Sequence, residues 1–233
     1  MKSPDLKHNY FENIDSESKA YWLGYLIADG YNYQVKNRVQ FSQSETDKES
    51  VFALQDELCH NGKITVSKDK RKNSQDMYIL SICSKKISDD LAKLQCYQGK
   101  SLTCDIPKIK KHLLNHFVRG YFDGDGCIYF KIREKDNALV IECPIVCSNL
   151  FSKSLSLELD KLGVKHYSQK LGKNKLCTTL KVTGRTNNLI FLSWLYKNSS
   201  ISLKRKKDKV DDFFNYCKSH PPKKQRKPTP QTR

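Results

Sequence analysis

The feature that most constrains this chain is an internal repeat. The segment AYWLGYLIADGYNY, which begins at Ala20, resembles HFVRGYFDGDGCIYF, which begins at His116. Aligned on Gly30 and Gly126, the two segments lie 96 residues apart (126 − 30). A repeat of about 100 residues is too long for the unit of a solenoid. The repeat therefore predicts two copies of one small domain, fused in tandem.

Each copy shows the same order of hydrophobic patterns, a helix and two strands repeated and then closed by a further helix. This order, αββαββα, predicts the α+β class. In the first copy we predict elements at residues 15–28, 31–35, 38–42, 48–58, 63–67, 77–82 and 87–94. In the second copy we predict them at residues 113–124, 128–133, 139–147, 150–162, 166–171, 177–182 and 187–196.

The predicted domain boundaries follow from this order. They comprise a first half, a linker, a second half and a basic extension, at residues 1–95, 96–111, 112–203 and 204–233. The extension contains a predicted helix at 208–218. Its last stretch has no apolar side chain, which predicts disorder.

The chain carries a strong positive charge. It has 42 Lys and Arg against 25 Asp and Glu, a formal net charge of +17 (42 − 25). This balance favours a polyanionic partner, and nucleic acid is the leading candidate because each phosphate contact releases counterions. A merely soluble basic surface is the alternative. No apolar run approaches the roughly 20 residues of a membrane span, so we expect no membrane partner.

Cysteine usage indicates the compartment. The nine cysteines are odd in number and include no CxxC pair, which argues against a disulfide framework or a zinc ribbon. We therefore expect free thiols in a reducing, intracellular compartment. Cytoplasm, nucleoid, organelle and nucleus all stay open.

Small residues recur on one face of each repeated helix. Gly24 and Ala28 are spaced i, i+4, and Gly120 and Gly124 occupy the same positions in the second copy. Glycine inside a helix costs about 1 kcal/mol relative to alanine, so three glycines here need a reason. Small residues at this spacing allow two helix backbones to touch. We predict that the two repeated helices pack directly against each other.

That packing has a chemical consequence for Asp29 and Asp125, which end the two helices. Side-by-side helices bring both carboxylates to one end of the interface, where like charges and the helix C-termini repel. Bound cations relieve the repulsion, and oxygen ligands select hard ions such as Mg²⁺. On a basic protein this predicts hydrolysis of phosphodiesters by metal-activated water. The alternative for each Asp-Gly is a simple helix stop or turn.

At these residues the chain resembles a known family. WLGYLIADG at 22–30 and VRGYFDGDG at 118–126 are similar to the two motifs of the LAGLIDADG homing endonucleases, and the resemblance covers about residues 16 to 200. It implies a pseudo-symmetric monomer whose two antiparallel sheets form a saddle over a long, asymmetric site in double-stranded DNA. It also implies divalent metal ions and cleavage of both strands across the minor groove, which leaves short 3′ overhangs.

The resemblance assigns roles to residues around the two motifs. Asp29 and Asp125 match the metal-binding acids, with Ala28 and Gly124 beside them at the metal site. The implied metal is Mg²⁺, with Mn²⁺ or Ca²⁺ able to replace it for binding. Gln43 matches a family glutamine that helps to hold the water of the active site. Its counterpart in the second half is Cys147, a departure which suggests that the two sites differ.

A second departure concerns a basic residue near the end of the fourth strand of each half. The family often has a lysine there, whereas Cys83 and Thr183 occupy the nearest positions of this chain. We assign the role to the neighbouring Lys85 and Lys181. A solvated surface lysine is the alternative for each.

Strand alternation predicts which side chains face DNA. In the first half these are Asn32, Gln34, Lys36, Arg38, Gln40 and Ser42. In the second half, with Ile128, Phe130 and Ile132 inward, they are Tyr129, Lys131, Arg133 and Glu142. Two basic loops are predicted to contact phosphates through Lys68, Lys70, Arg71, Lys72, Lys173 and Lys175. Ordinary half-exposed sheet faces are the alternative.

Two functions remain open on the sequence alone. The first is a Mg²⁺-dependent, site-specific DNA endonuclease, encoded by an intron or a free-standing gene rather than an intein. The second is an RNA maturase or a DNA-binding regulator of the same fold that has lost cleavage. The presence of both Asp29 and Asp125 favours the enzyme.

Overall fold

The computed structural model describes residues 5–68, 75–135, 138–171 and 176–221. The first half comprises α1 (Glu17–Asp29), β1 (Gly30–Tyr33), β2 (Arg38–Ser44), α2 (Lys48–Glu57), β3 (Thr65–Ser67), β4 (Met77–Cys83) and α3 (Lys85–Lys93). The second comprises α4 (Leu114–Asp125), β5 (Tyr129–Arg133), β6 (Ala138–Ser148), α5 (Asn149–Lys161), β7 (His166–Leu171), β8 (Cys177–Thr183), α6 (Arg185–Leu195) and α7 (Lys204–Ser219). The α+β class and the repeated αββαββα order are confirmed. None of the helices in these ranges is long and apolar enough to cross a membrane.

The two halves carry equivalent antiparallel sheets. Their strand orders are β1-β2-β4-β3 and β5-β6-β8-β7. Gly30 pairs with Phe41, and its counterpart Gly126 forms a bridge with Ile145. Each motif helix therefore leads into its sheet at the same point of the ladder, which carries the sequence repeat into three dimensions.

The packing of α1 against α4 forms the centre of the molecule. Ser16 caps α1 by accepting from the Lys19 amide at 3.3 Å. A Cβ atom added at Gly24 would lie 2.0 Å from the Phe117 carbonyl oxygen, and one at Gly120 would lie 1.9 Å from that of Tyr21. The two backbones are therefore in direct contact at both glycines, as the spacing predicts.

Charged side chains also join the halves. Arg119 is fully buried and donates to Glu17 Oε1 at 2.6 Å and to the Ile201 carbonyl at 2.9 Å. Arg205, near the start of α7, donates two hydrogen bonds of 2.8 Å to the Asp47 carboxylate of the first half. Helix α7 thus packs as part of the fold and begins four residues before the predicted 208–218 segment. The predicted domain boundaries stay a prediction.

Candidate active site and nucleic-acid interface

The two motif acids meet at one end of the packed helices. Asp29 is the last residue of α1, and Asp125 is the last residue of α4. A Cβ atom added at Gly124 would lie 2.3 Å from Ala28 Cβ and 3.2 Å from the carboxyl carbon of Asp29. The small residues of the interface therefore bring the second motif close to the first carboxylate.

Burial and mutual repulsion both act on these acids. Burial raises the pKa of Asp125 to about 6, and the negative charge of Asp29 contributes to that rise. Burial also raises the pKa of Asp29, while a hydrogen bond from Gln43 opposes the rise. The site therefore disfavours two bare carboxylates, and a bound cation would relieve both causes.

The two acids have different partners in the sheets. Gln43, which is only 8% exposed, donates from Nε2 to Asp29 Oδ2 at 2.7 Å. Gln43 lies two residues beyond Phe41, and Cys147 lies two residues beyond Ile145, so the strand register places the two side chains at equivalent positions. The Cys147 thiol contacts the carbonyls of Ile145 and Thr178 at 3.9 and 3.8 Å.

Two buried lysines at the motif helix ends were missed by the sequence analysis. Lys206 is 2% exposed and donates to the carbonyls of Phe122, Asp123 and Gly126 at 2.5, 2.7 and 2.6 Å. Burial lowers its pKa to about 8.

Lys100 plays the matching part in the first half. It is buried and donates to the carbonyl of Gly30, the counterpart of Gly126. The charges of both lysines lower the pKa of both Asp29 and Asp125. A usable signal was present in the chain, because each lysine follows the last helix of its αββαββα unit.

The lysines assigned from the sequence lie elsewhere. Lys85 is exposed at the start of α3 and pairs with Asp89 at 2.6 Å. It follows Cys83, which pairs with Arg38 at the opposite end of β2 from Gln43.

Lys181 lies within β8, where its ammonium is 5.8 Å from the centre of the Tyr167 ring. No hydrogen bond or ion pair in the described structure joins Lys85 or Lys181 to either motif acid. The structure therefore corrects both assignments: the buried lysines near the acids are Lys100 and Lys206.

The open face of the first sheet carries Arg38, Gln40 and Ser42, which alternate with buried residues as predicted. Asn32 is a correction. It is fully buried and donates to the carbonyls of Ser88 and Cys96 at 2.8 Å each. Because Asn32 pairs with the buried Val39, it shares the inner face.

Aromatic residues occupy the outer positions of β1 instead. Tyr31 pairs with Gln40 and Tyr33 pairs with Arg38, and the Arg38 guanidinium lies 5.4 Å from the centre of the Tyr33 ring. Gln34 and Lys36 are exposed in a short 3-10 turn between β1 and β2.

The open face of the second sheet carries the predicted set. Tyr129 pairs with Glu142, and Lys131 and Arg133 follow on the same side of the exposed β5. Ile132 was expected to point inward but is 41% exposed, because the end of β5 extends beyond the packed core. Among the loop residues, Lys68 is exposed after β3. The remaining loop predictions lie outside the described residues: Lys70, Arg71, Lys72, Lys173 and Lys175.

The donor set at the helix ends suits a hard cation. Within the described ranges, no group of three or more His, Cys, Asp or Glu side chains could hold a metal ion. The two carboxylates, Asp29 and Asp125, are thus the charged ligands that the chain offers at this point. Mg²⁺ commonly binds through one or two carboxylates and takes its other ligands from water and substrate phosphates. The residues present therefore fit such an ion.

Comparison of sequences gives limited information. No family model matches the chain. A segment of 122 residues is 32% identical to the replication factor C small subunit of Methanocaldococcus jannaschii, and the match covers 50% of this chain and 6% of that protein.

Comparison of structures is more informative. The LAGLIDADG homing endonuclease I-LtrWI bound to target DNA matches with a TM-score of 0.57 at 11% identity, over 91% of this chain and 92% of that chain. I-GzeII in complex with its DNA target matches with a TM-score of 0.55 at 11% identity, over 88% and 93%. I-SmaMI bound to an uncleaved DNA target with calcium ions matches with a TM-score of 0.54 at 12% identity, over 87% and 90%. The chain therefore resembles the LAGLIDADG homing endonucleases in its two motifs and has their fold.

Proposed function

We propose that this protein is a site-specific endonuclease that hydrolyses both strands of double-stranded DNA. The observation that carries the proposal is the convergence of Asp29 and Asp125 where two motif helices run into two separate sheets. A chain with a net charge of +17 is suited to a phosphodiester substrate. Because both acids belong to one chain, the site is complete in a monomer.

The proposed cofactor is Mg²⁺, with Mn²⁺ or Ca²⁺ able to replace it for binding. Asp29 and Asp125 would hold it, with the backbone at Ala28 and Gly124 alongside. When bound, such an ion lowers the pKa of a coordinated water and stabilises charge on the phosphate.

The residues around the acids set their charge and orientation. Gln43 fixes one oxygen of Asp29, since its amide donates at 2.7 Å. Lys100 and Lys206 hold the last carbonyls of the motif helices and favour the ionised form of both acids. They also add positive charge at the point where a phosphate would approach.

The two sheets supply different side chains to the DNA. The first face offers Arg38 and Gln40, while the second offers Tyr129, Lys131 and Glu142. Arginine and lysine suit guanine, glutamine suits adenine, and glutamate accepts from cytosine in the major groove. Two unlike faces fit a long, asymmetric target. The solved structures of the same fold that contain target DNA support this arrangement.

The test is a search for cleavage in a plasmid library. Purified protein is incubated with the library and Mg²⁺, and the ends of the products are sequenced. We expect one discrete site with short 3′ overhangs, and no products with EDTA or with Asp29→Asn or Asp125→Asn. Absence of cutting by the wild type, or equal cutting by the variants, would reject the endonuclease. Tight, site-specific binding without cutting would support the DNA-binding regulator.

A further inference from the structure

The second motif acid lacks the amide partner of the first. Gln43 Nε2 donates to Asp29, whereas the equivalent position beside Asp125 holds Cys147. The Cys147 thiol is buried and contacts carbonyls of its own sheet. Some other group must hold the Asp125 carboxylate if it is to be oriented like that of Asp29.

A tyrosine precedes each acid by four residues, on the same helix face. Tyr25 precedes Asp29, and Tyr121 precedes Asp125. The Tyr25 hydroxyl is buried against Ser50 and forms no hydrogen bond within the described structure. The Tyr121 hydroxyl instead reaches Asp125 and lies 3.2 Å from the Val146 carbonyl. Equivalent tyrosines thus have different polar surroundings.

The packing of the two rings explains the difference. Tyr121 stacks on Phe151 of α5, with ring centroids 4.0 Å apart and an interplanar angle of 24°. Tyr25 meets Phe41 of β2 edge-on, at 4.9 Å and 80°. Each ring is fixed by a large buried aromatic neighbour, so each hydroxyl is held in one place.

The Tyr121 hydroxyl has a single proton to donate. It can go to the neutral Val146 carbonyl, at the rather long distance of 3.2 Å, or to the Asp125 carboxylate. A hydrogen bond to an ionised acceptor is about twice as strong as one to a neutral acceptor. The carboxylate therefore wins whenever Asp125 is ionised.

We propose that Tyr121 is the positioning residue for Asp125, and that it does for the second acid what Gln43 does for the first. The proposal rests on the proposed endonuclease function, because it assigns different supporting residues to the two strand-cleaving acids. Its consequence is that loss of either supporting residue unbalances the two strands. Tyr25 is the matched control, since it occupies the equivalent place without holding Asp29.

The functional test resolves the two strands. A target duplex labelled separately on each strand is cut by the wild type, Tyr121→Phe, Gln43→Leu and Tyr25→Phe. We expect Tyr121→Phe to slow one strand about tenfold and Gln43→Leu to slow the other, with nicked intermediates, because a hydrogen bond to a charged group is lost. Tyr25→Phe should leave both strands unchanged. Slowing of the same strand by Tyr121→Phe and Gln43→Leu, or equal effects of the two tyrosine variants, would overturn the proposal.

A second measurement needs neither metal nor DNA. Aspartate labelled with ¹³C at Cγ reports each carboxyl by NMR, and Asp29→Asn and Asp125→Asn assign the two signals. Tyr121→Phe should move the Asp125 signal and leave that of Asp29, and Gln43→Leu should do the reverse. An unmoved Asp125 signal in Tyr121→Phe would overturn the proposal. If the wild type fails to cut DNA, the endonuclease proposal fails, but this experiment still decides whether Tyr121 holds Asp125.

Discussion

The two ends of the motif helices share a backbone plan but differ in the side chains that complete it. Each has an acid at the helix end, a glycine that starts the turn into the sheet, and a buried lysine on that glycine's carbonyl. The first acid takes its hydrogen bond from Gln43, while Cys147 stands at the equivalent place in the second. The difference teaches that the duplicated core has kept what the packing requires and has diverged where one side chain can replace another.

The largest expected effect tests the feature that the two ends share. Asp29→Asn and Asp125→Asn should each lower double-strand cleavage by well over about 100-fold, since loss of a residue that merely supports a metal ligand costs about 10- to 100-fold. Cleavage rates on the mapped target measure this. A variant that retains most of its activity would show that its acid is dispensable, and that the two ends are not equivalent in function.

The next effect concerns the glycines of the shared interface. Gly120→Ala would place a Cβ atom 1.9 Å from the Tyr21 carbonyl oxygen, so we expect the free energy of unfolding to fall by about 3 kcal/mol. Gly24→Ala should cost about as much, because its contact with Phe117 is equally close. Urea unfolding measures both. An ordinary helix would gain about 1 kcal/mol from the same change, so even the sign of the result is diagnostic.

The buried lysines should differ in their contribution to stability. Lys206→Met leaves three carbonyls without their donor, whereas Lys100→Met leaves one. We expect Lys206→Met to be the more destabilising by about 2 kcal/mol, since each unsatisfied buried group has its own cost. Lys209→Met, on the exposed side of α7, is the control. Equal unfolding midpoints for the two buried variants would contradict the comparison.

The smallest effect separates the two sheet positions beside the acids. Gln43→Leu should slow cleavage about tenfold, because an outer partner of a metal ligand is lost. Cys147→Ala should change the rate less than about twofold, since that thiol contacts only carbonyls of its own sheet at 3.8 to 3.9 Å. A larger loss from Cys147→Ala than from Gln43→Leu would reverse the assignment of the supported acid.

The fold could be predicted from the sequence in most of its elements, because local patterns and the repeat determine them. The contact between α1 and α4 follows from the spacing of Gly24, Gly120 and Gly124, since few other arrangements use small residues there. The meeting of Asp29 and Asp125 follows from that contact. The hydrophobic alternation of β2 likewise gave the face of Arg38 and Gln40.

The failures involve partners that are distant in sequence. Asn32 looks like a surface residue until its acceptors, the carbonyls of Ser88 and Cys96, are brought to it by the fold. Lys100 and Lys206 likewise bond carbonyls 70 and 80 residues away, and lysine is seldom buried without such partners. No local pattern contains this information, so the assignment fell instead on Lys85 and Lys181.

The position of Lys206 in the last described helix affects the order in which the protein is completed during synthesis. The first motif helix can be capped as soon as Lys100 has left the ribosome, whereas the second stays without its cap until α7 follows. The bond between Arg205 and Asp47 closes at the same stage. A nascent chain that stops before α7 thus has a finished first half beside an uncapped second one.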